Sequence, residues 1–135
     1  MTGFILQSEN TTIHFKYYTE EAPETCKAFE ALLPFSKTFI HARVSGQEIW
    51  IDDAPPLLVI QENASVFTNP GEVVYGPATG RAKTTNCMGI YYGEGKGLDA
   101  CNIFACVVDE DREVLTQLGE AIWKNGIQEL TFRKA

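Results

Sequence analysis

The 135-residue chain lacks the features that mark membrane and exported proteins. No apolar stretch approaches the roughly 20 residues that a membrane-spanning helix needs. The longest, at residues 103–108, has the length of a strand. Residues 1–7 contain no basic segment followed by an apolar run and a cleavage site. We therefore expect a cytoplasmic protein without a signal peptide and without a membrane partner.

Positive charge is also scarce in this chain. Lysine and arginine total 11 against 18 aspartates and glutamates, which gives a net charge of −7. An acidic chain repels the phosphate backbone of nucleic acids, so we expect no nucleic-acid partner.

Motifs for metals, phosphates and nucleophilic catalysis are missing as well. None of the four cysteines forms a C-x-x-C pair, and Cys101 and Cys106 have no histidine at a metal-binding spacing. We therefore expect buried apolar cysteines, no metal and no cofactor. The segment 93–97 is glycine-rich but lacks the Walker pattern, so we predict a flexible loop there.

What is present indicates one domain over residues 1–135 that is built mainly of strands. Residues 13–18 alternate between apolar and polar, which predicts a half-buried strand. Two amphipathic helices are predicted, one starting at Pro23 and one ending at Gly126. About eight strands with turn signals at short spacing favour a small, closed antiparallel β-barrel capped by the two helices.

The segment from Thr38 to Ile51 is the most informative part of the sequence. We predict a β-hairpin with Ser45-Gly46 as its two-residue turn, which would place His41 opposite Trp50. Alternation along the strands then divides the side chains between two faces. The core face would carry Ile40, Ala42, Ile49 and Ile51, and the functional face would carry His41, Arg43, Glu48 and Trp50.

Several motifs resemble the cyclophilins, although a second family is more similar. Residues 22–32 resemble the first cyclophilin helix, and residues 39–44 loosely resemble the cyclophilin Phe-His-Arg strand. The closer resemblance is to an uncharacterised bacterial family with a cyclophilin-like barrel, a domain of unknown function. It is carried by the pattern His41-Ala42-Arg43-x-Ser45-Gly46-x-x-x-Trp50 and by the residues 62–64 and 70–73. The resemblance covers nearly the whole chain and implies the fold, but no activity.

The leading interpretation is a pocket that binds, or also transforms, a small anionic or carboxylated metabolite. The guanidinium of Arg43 suits a carboxylate, and His41 suits a general base at neutral pH. Glu62 is the third candidate catalytic residue, with Arg43 as its expected partner if it is buried. The further candidate ligand-binding residues are Glu48, Trp50, Tyr75, Tyr91, Tyr92 and Asn102.

Two alternatives remain open at this point. A peptidyl-prolyl isomerase would use Arg43, but the chain lacks the Gly-Phe-Met-x-Gln-Gly-Gly and Trp-Leu-Asp motifs that form the cyclophilin proline pocket. The second alternative is a barrel without catalytic activity that binds peptides or has a structural role, either as a monomer or as a homodimer. In that case Arg43 and Glu48 would form only a cross-strand ion pair on the surface.

Overall fold

The computed structural model describes residues 1–135 as eight β-strands and two α-helices. The strands are β1 (Gly3–Gln7), β2 (Thr12–Tyr17), β3 (Phe35–His41), β4 (Gly46–Ile51), β5 (Ala64–Phe67), β6 (Glu72–Gly76), β7 (Cys87–Val107) and β8 (Gln128–Lys134). The helices are α1 (Pro23–Leu32) and α2 (Arg112–Asn125). Neither helix has the length and apolar character that crossing a lipid bilayer requires.

The strands form a ring in which every pairing is antiparallel. Their order is β2-β1-β8-β3-β4-β7-β5, and β2 pairs with β7 as well, so the path of pairings returns on itself. The additional strand β6 also pairs with β7. The prediction of a mainly β, cyclophilin-like fold with about eight antiparallel strands and two helices is confirmed.

Strand β7 differs most from the sequence-based expectation. Its 21 residues include the segment 93–97, where a flexible loop was predicted. That prediction is wrong, because Gly95 pairs with Gly46 of β4 and Lys96 pairs with Phe67 of β5. Val73 of β6 pairs with both Ile90 and Ala105. The part of β7 between these two residues therefore curves from one side of β6 to the other.

The start of α1 and the end of α2 lie where the sequence indicated. Pro23 lies in the first turn of α1, where its missing N–H has no intrahelical partner. Helix α2 ends before Gly126, whose φ of +98° favours glycine and whose N–H donates to the carbonyl oxygen of Ile122 at 3.1 Å.

Aromatic side chains hold α1 against the sheet. The ring centroid of Phe29 lies 4.8 Å from that of Phe4 in β1 and 4.9 Å from that of Phe104 in β7. All three side chains are fully buried. Burial of each contributes about 1.5–3 kcal/mol to folding, so this cluster alone positions α1 firmly.

Candidate functional site

A pocket of about 320 Å³ lies between the β3–β4 hairpin, β5 and residues 97–101 of β7. This volume is at the lower end of the range for small-molecule sites. Its apolar lining includes Ile40, Val44, Trp50, Val74, Tyr91 and Leu98. Its polar lining includes His41, Arg43, Ser45, Glu48, Thr68, Thr84 and Asp99, together with the thiol of Cys101.

The register of the hairpin decides which side chains share the pocket. Ile40 pairs with Trp50 and His41 pairs with Ile49. The predicted pairing of His41 with Trp50 is therefore wrong by one residue. The connection is longer than a two-residue turn, because β3 ends at His41 and β4 begins at Gly46. Since a slip of one residue exchanges the faces of a strand, Trp50 shares its face with Ile40 and not with His41.

Glu48 is the most deeply buried charged residue of the pocket, with an exposed fraction of 2%. Its Oε1 accepts a hydrogen bond of 2.5 Å from the hydroxyl of Ser45. Its Oε2 is buried and has no hydrogen-bond partner. This oxygen lies against Gly89, where a side chain at position 89 would overlap it.

Burial changes the acidity of this carboxyl group. Removal from water disfavours the charged form and raises the pKa of Glu48 to about 7. The hydroxyls of Ser45 and Tyr91, which face the carboxyl group, lower its pKa, but this effect is smaller than that of burial. Glu48 can therefore both hold and release a proton near neutral pH, which is the property that general acids and bases need.

Arg43 lies on the pocket lining with an exposed side chain. It forms none of the four ion pairs in the protein, so the cross-strand pair with Glu48 is absent. An unpaired guanidinium has all of its donors available for a carboxylate.

His41 is half-buried and borders two pockets. Its Nδ1 lies 2.7 Å from the carbonyl oxygen of Ala42, and its Nε2 lies 2.8 Å from the hydroxyl of Tyr92. Because a carbonyl oxygen can only accept, Nδ1 carries a proton, and Nε2 of the neutral ring accepts from Tyr92. The ring also contacts Trp123 of α2, with 4.6 Å between the centroids. Both nitrogens are thus engaged within the protein.

Tyr92 lines the second pocket and not the first. That pocket, of about 370 Å³, lies between the hairpin and α2 and includes Arg43, Glu120, Trp123 and Lys124. Burial, followed by the charge of Glu120, raises the pKa of the Tyr92 hydroxyl. The hydroxyl therefore stays protonated and able to donate to His41.

Three predicted site residues lie outside both pockets. Tyr75 is fully buried in the core, and its hydroxyl donates to the carbonyl oxygen of Pro55 at 2.5 Å. Glu62 accepts from the backbone N–H and the hydroxyl of Thr25 at 2.5 and 2.7 Å. Asn102 donates to Thr25 Oγ1 at 3.0 Å and accepts from the N–H of Glu62 at 3.1 Å.

These contacts indicate that Glu62 and Asn102 stabilise the fold around the start of α1. Thr25 lies in the first turn of α1, whose positive dipole end favours a carboxylate. The expectation that Arg43 pairs with Glu62 is therefore wrong, because the helix N-terminus supplies the partner instead. The sequence offered no signal for this pairing between residues 37 positions apart.

Sequence reasoning missed three residues that shape the pocket. Ser45 was interpreted only as a turn residue, yet its buried side chain orients Glu48. Gly89 leaves the space that the carboxyl group occupies. Cys101 lines the pocket with its Sγ 4.0 Å from that of Cys87. A glycine inside a predicted strand was the only available signal, since it often marks a close approach.

The comparisons with known proteins identify the fold more clearly than the chemistry. Residues 5–134 match the model of a family described as Protein of unknown function (DUF3830). No curated protein sequence shows significant similarity to this chain.

Three of the solved structures that are similar to this chain illustrate the shared fold. McbB in complex with tryptophan has a TM-score of 0.78 and 22% identity over 97% of this chain, which spans 44% of the McbB chain. The hypothetical protein AF2241 from Archaeoglobus fulgidus has a TM-score of 0.66 and 18% identity, covering 99% of this chain and 95% of its own. A cyclophilin-type peptidyl-prolyl cis-trans isomerase from Cryptosporidium parvum has a TM-score of 0.54 and 17% identity, covering 84% of each chain. At these identities the similarities show a shared fold.

Proposed function

The chain belongs to the DUF3830 family of proteins of unknown function, and we propose that its pocket between the β3–β4 hairpin and β7 binds a small carboxylated metabolite. The observation that carries this proposal is the unpaired guanidinium of Arg43 on the lining of a partly apolar pocket. In a protein with a net charge of −7, such a cation is the natural attachment point for an anionic ligand.

The walls of the pocket support a ligand with an apolar portion. Trp50, Tyr91 and Leu98 line it, and the exposed fraction of Leu98 is 75%. Large apolar side chains exposed beside a pocket are typical of ligand-binding surfaces. McbB, which shares the fold, has a structure in complex with tryptophan, a small molecule with a carboxylate and an aromatic ring. This supports the proposed ligand size and chemistry.

Catalysis is a second candidate function of the same pocket. The carboxyl group of Glu48 has a pKa of about 7 and lies inside the pocket, so it can transfer a proton to or from a bound ligand. His41 is less suited to this task, because Tyr92 and Ala42 occupy both of its ring nitrogens. Glu62 is occupied by Thr25. We therefore assign the acid–base role to Glu48.

The test of binding is isothermal titration with tryptophan and a panel of small carboxylates. We expect at least one of them to bind, and Arg43→Leu to weaken it by about tenfold or more, since a charge-assisted hydrogen bond contributes about 1.5–3 kcal/mol. Arg81→Leu is the matched control, because Arg81 is exposed and lies outside the pocket. Unchanged affinity in Arg43→Leu, or no binding by any carboxylate, would overturn the proposal.

Turnover of whatever binds separates the two candidate functions. A proline-peptide isomerisation assay belongs in the same series, since the cyclophilin alternative requires activity that Arg43→Leu abolishes. Binding without turnover in either assay favours a binding protein.

A further inference from the structure

The pocket lining contains a basic and an acidic side chain that differ in their exposure to solvent. Arg43 is exposed and unpaired, whereas Glu48 is 2% exposed. Trp50, Tyr91 and Leu98 contribute apolar surface to the same lining. A ligand with a single charge would therefore satisfy only one of the two groups.

We propose that the ligand of this pocket carries a basic nitrogen as well as a carboxylate, and that Glu48 binds the nitrogen. This inference rests on the function proposed above, in which Arg43 binds the carboxylate. It assigns the ligand to the class of amino carboxylates.

The contacts of Glu48 carry the first step of the argument. Its Oε1 has a hydroxyl partner in Ser45, and its Oε2 has none although it is buried. A buried carboxyl oxygen without a donor is costly, so most such oxygens in proteins have a partner. The terminal torsion of glutamate is broad, so rotation of the carboxyl group can present an oxygen to a ligand.

The surroundings of Glu48 carry the second step. The titratable groups that face it are the Tyr91 hydroxyl and the thiols of Cys87 and Cys101, and Asp99 lies on the same lining. None of these is a cation, and Glu48 takes part in no ion pair. Arg43, which is exposed, is not within 4 Å of its carboxylate. The protein itself thus provides no positive charge next to the carboxylate of Glu48.

A ligand ammonium would fill this role. It would provide both the missing donor and the missing positive charge, and a charge-assisted hydrogen bond in a buried site is stronger than its equivalent in water. The 320 Å³ of the pocket also suits a molecule of the size of a single amino acid better than a peptide.

Ligands that differ by one group provide the test. Phenylalanine, 3-phenylpropionate and phenethylamine share a phenyl ring. Phenylalanine carries both the carboxylate and the amino nitrogen, 3-phenylpropionate only the carboxylate, and phenethylamine only the nitrogen. Leucine and 4-methylpentanoate form a second, aliphatic pair. We expect the amino acid of at least one pair to bind at least tenfold more tightly than the analogue without nitrogen. If the aromatic compounds bind, phenylalanine should also bind at least tenfold more tightly than phenethylamine.

Variants then locate the nitrogen. In Glu48→Gln the preference for the amino acid should fall to within twofold, while the affinity for the carboxylate-only analogue stays unchanged. Glu94→Gln, an exposed position on β7 outside the pocket, should keep the wild-type preference. Thermal unfolding of Glu48→Gln verifies that it is folded.

The proton balance gives a second readout of the same contact. Since the pKa of Glu48 is about 7, an ammonium that binds its ionised form should release about half a proton at pH 7. The binding enthalpy of the amino acid should then depend on the ionisation enthalpy of the buffer, and that dependence should vanish in Glu48→Gln.

The possible failures are distinguishable. If carboxylates bind through Arg43 but amino acids gain nothing, or if Glu48→Gln keeps the preference, this inference is overturned and the proposed function stands. If no carboxylate or amino acid binds at all, both are overturned.

Discussion

Gly89 lies directly against the carboxyl group of Glu48, so that a Cβ at position 89 would overlap Oε2. The pairing of β4 with β7 produces this contact, because Glu48 pairs with Tyr91 and Trp50 pairs with Gly89. The two residues therefore sit diagonally across neighbouring strands, and the absent side chain of one makes room for the polar head of the other.

We expect Gly89→Ala to lower the free energy of unfolding by about 1–3 kcal/mol, the usual cost of overpacking a buried site. It should also weaken binding of the pocket's ligand, because the carboxyl group must move. Chemical denaturation and titration measure the two effects.

The control for Gly89→Ala is the double variant with Glu48→Ala. The shortened side chain removes the overlap, so the two changes together should cost less than the sum of their separate costs. Additive costs would show that the glycine serves a different purpose.

The burial of Glu48 should make stability depend on pH. The pKa of Glu48 rises from 4.5 to about 7 on folding. Between these values the unfolded chain loses the proton while the folded protein keeps it, so stability falls as pH rises. This difference in pKa lowers the free energy of unfolding by about 3 kcal/mol, a loss that is complete above pH 7 and absent below pH 4.5.

Glu48→Gln should remove this dependence. Relative to the wild type, its free energy of unfolding should rise by about 3 kcal/mol between pH 4.5 and pH 8. Glu129→Gln, at an exposed position, should show no such trend. A constant difference between wild type and Glu48→Gln across this range would mean that Glu48 titrates like an exposed residue. Denaturant titrations at four or five pH values suffice.

Glu62 should prove structural. Glu62→Ala removes the acceptor of two hydrogen bonds from Thr25 at the start of α1, and loss of a helix cap costs about 0.5–2 kcal/mol. Ligand affinity should remain within twofold of wild type, because Glu62 does not line the pocket. A loss of affinity without a loss of stability would restore Glu62 to the functional residues.

His41 should be found with the proton on Nδ1 when the ring is neutral, because Ala42 offers only an acceptor there. Nitrogen chemical shifts of the imidazole distinguish the two tautomers. Tyr92→Phe should lower the free energy of unfolding by about 0.5–1.5 kcal/mol through loss of the bond to Nε2. A neutral ring protonated at Nε2 would contradict the proposed hydrogen-bond arrangement.

Local patterns predicted the elements well, and long-range pairing decided the site. Pro23 and Gly126 mark helix ends that the structure confirms, because caps and backbone restrictions act within a few residues. The predicted register of the hairpin was wrong. Ser45-Gly46 resembles a two-residue turn, but the side chain of Ser45 is buried and donates a hydrogen bond to Glu48. Turn statistics give no signal that this hydroxyl is buried against a carboxyl group three residues along the chain.

The sequence by itself determined a single mainly β chain with two helices, and it also located the informative hairpin. Those features follow from periodicity, turn residues and charge, which each segment carries independently of the rest. Only the tertiary structure decided that Glu48 is buried beside Gly89, that Arg43 stays unpaired and that Glu62 caps α1. These features depend on which segments far apart in the chain come together, such as β4 with β7 and Glu62 with the start of α1, and no local pattern encodes such pairings.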